Sequence, residues 1–102
     1  MYNKLFSIIF IYFFSISISA QTTVSGQILQ DQSNPVEFCN ILILEVSDSS
    51  FVSGELVLNG TFKLKVNQDE FILKIEAIGY VDKYMTIEHS INLGNIVLDA
   101  EE

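Results

Sequence analysis

The chain has 102 residues with one His, one Cys, no Trp and no Arg, and its 13 Asp and Glu against 5 Lys leave a formal charge of −8. One small domain is the upper bound, and an acidic surface without Arg repels nucleic acid and anionic lipid alike, which excludes both as partners. A single Cys precludes an internal disulfide, and one His with one Cys falls short of a closed zinc site.

The first 20 residues form a separate object, holding 14 apolar side chains, 6 of the 12 aromatics and a single charge, Lys4. Lys4 beside the amino terminus, the apolar run from Leu5 to Phe14, and then Ser15, Ser17 and Ser19 ahead of Ala20 follow the charged, apolar and small-residue order of a secretory signal peptide. As a helix, Leu5 to Ala20 would reach roughly 24 Å, short of the ~30 Å hydrocarbon core. A cleaved leader over residues 1–20 is therefore expected rather than a permanent anchor. Cleavage after Ala20 leaves Gln21 as the new N-terminus; a cut after Ser19, with small Ser17 and Ser19 at both subsites, is the alternative. The only Cys is Cys39, too far from the cut for lipidation, so the mature product over residues 21–102 is expected to be exported without a lipid anchor.

After residue 20 about 44% of the side chains are apolar, ordinary for a globular domain. Short β-branched and aromatic runs recur every eight to twelve residues between turn signals, the spacing of a sandwich or barrel. Thr22 to Gln30 places Val24, Gly26 and Ile28 on one face and stops at Asp31-Gln32-Ser33-Asn34-Pro35, where Pro35 cannot donate to a central ladder. Val36 to Val46 is apolar on both faces in its middle, as for a strand covered on both sides. Ser47-Asp48-Ser49-Ser50 breaks the chain before Phe51 to Leu58. Asn59-Gly60 is the dipeptide of a two-residue type I′ hairpin, predicting that the strands on either side of it pair.

Phe62, Leu64 and Val66 then alternate with Lys63 and Lys65, so one face is buried and the other solvated. Asn67-Gln68-Asp69-Glu70 turns the chain. Phe71, Leu73, Ile75 and Ala77 form the next inward row, and Gly79 reads as a bulge or close backbone approach. Val81 to Ile87 and Asn95 to Leu98 supply two more strands, divided by a polar loop around His89 to Asn92. The expected fold is all-β: a seven-stranded antiparallel β-sandwich with Greek-key character, preceded by the signal-peptide helix.

Five stations in this order resemble the carboxypeptidase-regulatory-like domain. They are Val24-Ser25-Gly26-Gln27-Ile28, Asn34-Pro35-Val36 with Asn40-Ile41, Asn59-Gly60-Thr61-Phe62-Lys63-Leu64, Ile78-Gly79-Tyr80, and Leu93-Gly94-Asn95-Ile96-Val97-Leu98. The resemblance covers nearly the whole mature chain. It departs at Gly54 to Gly60, which lacks the Thr-Asp pair the family usually carries ahead of this turn. It implies a prealbumin-like or immunoglobulin-like sandwich, of the kind found at the N-termini of outer-membrane proteins of Bacteroidetes-type bacteria before the plug and barrel of TonB-dependent receptors. Such domains are accessory modules without catalytic residues. The chain stops at Asp99-Ala100-Glu101-Glu102, which admits both a free module and the N-terminal part of a longer outer-membrane protein, and it is too short to form such a barrel itself.

No residue pattern argues for catalysis. Cys39, between Phe38 and Asn40, reads as a packed thiol because no cation or His adjoins it. His89, between Glu88 and Ser90, reads as a solvated loop residue. Asp69-Glu70 and Glu101-Glu102 lack the spaced oxygens of a calcium loop. Phe62, Phe71, Tyr80 and Tyr84 read as core rather than as a sugar platform, Phe62 and Phe71 lying on inward rows. No catalytic, cofactor-binding or metal residue is assigned. The expectation is a non-enzymatic, periplasmic or outer-membrane module working through contacts with a protein partner or the remainder of a receptor, without nucleic acid and without a membrane span in the mature domain. A secreted carbohydrate-binding module is the alternative.

Overall fold

The computed structural model describes residues 21–101, so the leader expected over residues 1–20 and the last residue, Glu102, lie outside it. The described chain is all-β, with seven strands: β1 (Thr22–Leu29), β2 (Phe38–Leu44), β3 (Phe51–Leu58), β4 (Thr61–Val66), β5 (Phe71–Glu76), β6 (Lys83–Ile87) and β7 (Ile91–Val97). They form a three-stranded sheet, β4-β1-β7, and a four-stranded sheet, β3-β2-β5-β6. The inward rows of both sheets meet in one hydrophobic core, giving a sandwich-like fold.

Alternation builds that core. In β4, Phe62, Leu64 and Val66 are buried while Thr61, Lys63 and Lys65 are exposed. In β5, Phe71, Leu73 and Ile75 are buried and their neighbours are half-buried. Phe71, Ile28, Ile41, Leu73, Ile75 and Val24 are the largest fully buried side chains, each worth about 1.5–3 kcal/mol of apolar burial. Buried Thr22 is satisfied by donating its hydroxyl to the Gln68 carbonyl at 2.6 Å.

Several expectations need correction. The sheets are not wholly antiparallel, because β1 and β7 pair in parallel. These are the first and last strands, joined by no hairpin that would force opposite directions. Asn59-Gly60 does not close a hairpin either: β3 and β4 belong to different sheets. Asn59 and Gly60 have φ of 59° and 74°, the positive values a type I′ turn requires. The turn nevertheless acts as a corner, with Asn59 N–H donating to the Glu37 carbonyl at 2.8 Å and Gly60 accepting from Ile28 N–H at 2.7 Å.

β2 is shorter than Val36 to Val46 and is buried on one face only. Cys39, Ile41 and Ile43 point inward, whereas Phe38 and Asn40 are exposed and Leu42 and Leu44 half-buried. β7 begins at Ile91, so it takes in part of the loop expected around His89 to Asn92. Gly79 is neither a bulge nor a close approach. It sits in the turn after β5 with φ of 90° and open space where a side chain would go.

Candidate functional site

The side chains weighed from sequence are not brought together. Cys39 is buried on the inward row of β2, and burial pushes its thiol pKa up, away from the reactive thiolate. His89 is exposed between β6 and β7, where in its Nδ1–H tautomer it donates to the Ser90 carbonyl at 3.0 Å. The two residues line different depressions: Cys39 one with Phe38, Asn40, Glu76 and Ile78, His89 another with Met85, Ile87, Ile91 and Leu93. Asp69, Glu70 and Glu101 are exposed, and no three metal-ligating side chains gather among the described residues.

The aromatics divide. Phe62 and Phe71 are core residues, 5% and 0% exposed. Tyr80 packs half-buried against the core and donates its hydroxyl to Gln30 Oε1 at 3.2 Å. Tyr84 stands 58% exposed, with the Lys74 ammonium 5.4 Å from its ring centroid. That cation belongs to a small network, paired with Glu76 at 3.1 Å and Asp82 at 3.7 Å, and Glu76, with Tyr84 behind it, raises the Lys74 pKa. One tyrosine serves the core and the other holds a lysine, so they form no paired sugar platform.

What the fold does assemble is a contrast between two outer faces. On the three-stranded sheet, Thr23, Ser25 and Gln27 of β1 lie opposite Lys65, Lys63 and Thr61 of β4, a polar and basic surface. On the four-stranded sheet, Phe38 lies opposite Leu58, Asn40 opposite Leu56, and Leu44 opposite Phe51. Phe38, Leu56, Leu58 and Phe51 are 53%, 58%, 61% and 65% exposed. Half-buried Leu42, Leu44 and Ile72 fill the space between them and β5. Scattered apolar side chains are ordinary on a protein surface, whereas this cluster across β2 and β3, bordered by Lys74 and Glu76 of β5, is the candidate contact surface.

Sequence reading did not find this face: it put the middle of β2 under cover on both sides, and it placed Phe51, Leu56 and Leu58 of β3 on neither face. The available signal was compositional, since β3 has no Lys while β4 has two. No helix among the described residues is long and apolar enough to cross a membrane. No family model matches the chain, and the search of curated proteins finds no similar sequence.

Proposed function

We propose that this domain is a non-enzymatic accessory module that works in the periplasm through protein contacts made by the outer face of the four-stranded sheet. The observation that carries the reading is the row of exposed Phe38, Phe51, Leu56 and Leu58 on a domain whose other sheet is polar outside. Leaving such a face in water forgoes apolar burial that a partner recovers at roughly 25 cal/mol per Å². In this reading residues 1–20 are a cleaved leader. The sequence stations favour a prealbumin-like or immunoglobulin-like domain of carboxypeptidase-regulatory-like type, serving an outer-membrane system of the TonB-dependent receptor kind.

The test is site-specific photo-crosslinking in the source cell, with the photoreactive residue at Leu56 or Phe38 and, as control, at Lys63. Crosslinks from Leu56 and Phe38 to one identified cell-envelope protein, with none from Lys63, are the expected result. Retention of the protein in the cytoplasm, or equal crosslinking from both faces, overturns the reading.

A further inference from the structure

Resting on that reading, we propose that β3 is an open sheet edge that receives an extended strand of a partner protein, one in which apolar side chains alternate with Lys or Arg. The two sheets have four edges, and three are guarded. β4 carries Lys63 and Lys65 on its exposed row. β6 is only five residues long and begins at Lys83. β7 is bulged where its pairing with β1 shifts register between Ser25 and Gln27, with Gly94 at φ 70°. Short length, lysines and bulges each discourage strand addition. β3 has eight residues and no Lys, Arg or Pro; its pairing with β2 shifts register at Val52, near one end, but Ser53 to Leu58 pairs regularly, and every residue of the strand except Val57 is exposed.

The apolar outer face runs up to this edge. A strand laid beside β3 sits about 4.8 Å away. Its main chain completes the ladder, and its outward side chains pack beside Leu56 and Leu58, the two rewards of strand addition.

Charge selects the occupant. Glu55 lies opposite Ile41, so it stands on the inward row at the sheet edge. Among the described residues the ion pairs are those of Lys74 with Glu76 and Asp82, which leaves Glu55 without a cation. Lys65 lines the same gap as Glu55 but forms no ion pair with it. Glu37 flanks one end of β3, where its carbonyl holds Asn59, and Glu45 and Asp48 belong to the turn at the other. A second copy of the chain would bring the same four carboxylates, and antiparallel self-pairing centred on Glu55 would set like charges side by side, which is destabilising. An edge charge of this kind rejects its own copy while giving a basic strand a partner for its cation.

The experiment titrates the exported, isotope-labelled protein with a synthetic nine-residue peptide alternating valine and lysine. Two controls are a peptide with glutamate in place of lysine and the lysine peptide N-methylated at alternate residues. Binding is read by chemical shifts and amide exchange. The lysine peptide is expected to bind at least about tenfold more tightly than the glutamate peptide, with new protection confined to β3. N-methylation should abolish that gain, and Glu55→Lys should invert the charge preference. Equal binding of both charge types, protection on β4, β6 or β7, or a free protein already dimeric through β3 would each overturn the inference. Those outcomes leave the contact-module reading standing, because that reading fails on the crosslinking result and not on the identity of the edge.

Discussion

The Ile28 N–H donates to the Gly60 carbonyl at 2.7 Å, while the Ile28 carbonyl oxygen occupies the place where a Gly60 side chain would begin. That carbonyl accepts a further hydrogen bond from Val36 N–H at 3.0 Å. The end of β1 in one sheet is thus fastened to the corner that carries the chain from the other.

This contact makes Gly60 the most sensitive turn position. Gly60→Val is expected to destabilise the domain by at least about 1–3 kcal/mol from backbone strain alone, since φ is positive there, with the overlap onto Ile28 adding to it. Gly60→Ala should also destabilise, because a single Cβ meets the same oxygen. Chemical denaturation of both variants checks this. An unchanged midpoint for Gly60→Ala would mean the corner can move aside.

The corner also shows where sequence reading stops. Asn59-Gly60 announced positive φ at two successive residues, and the turn has them. Turn chemistry fixes the chain direction over four residues, but whether the next strand joins the same sheet depends on where its apolar row is buried. In β4 that row, Phe62, Leu64 and Val66, is buried with β4 paired to β1. The parallel pairing of β1 with β7 was illegible for a related reason, since no local signal links residues so far apart. By contrast, the inward faces of β4 and β5 were readable from alternation alone, because lysine or glutamate between apolar residues leaves one arrangement free of buried charge. For β2 the same reasoning misled. An apolar middle on both faces suggested double cover, and the structure leaves the second face open as part of the candidate contact surface.

Truncating the core centre should cost most. Phe71 is 0% exposed, and Phe71→Ala is expected to lose about 3–5 kcal/mol. Phe62→Asp, which buries an unpaired carboxylate, should prevent stable folding. Thermal melting with far-ultraviolet circular dichroism distinguishes these losses from the small effect expected of Lys63→Ser on the exposed row.

The Cys39 thiol should be shielded by the fold. Burial raises its pKa, so a thiol reagent at neutral pH is expected to label it at least about a hundredfold more slowly in the native protein than in denaturant. Rapid native labelling would show that β2 opens readily or that the inward row is misplaced.

Two exposed aspartates link the loops to pH. Hydrogen bonds from Asn34 and then Ser33 hold Asp31 below its ordinary value of 3.8, and Ser50 does the same for Asp48. A carboxyl group whose folded pKa is depressed contributes stability above its unfolded pKa and loses it as pH falls through the folded value. Asp31→Ala should therefore lower the melting midpoint at neutral pH, and the difference from the parent should shrink as pH falls below 3.8 toward the lower folded value. Carboxyl chemical shifts give the two titrations directly.

The central claim, that contacts and not chemistry carry the role, is tested most directly by complementation of the deletion phenotype in the source organism. The comparison sets Cys39→Ala and His89→Gln against the double change Leu56→Ser with Leu58→Ser, each checked for export and folding. The account predicts that Cys39→Ala and His89→Gln restore function while the folded, exported Leu56 and Leu58 variant does not. Loss of function in folded, exported Cys39→Ala or His89→Gln, with the Leu56 and Leu58 variant fully active, would contradict it.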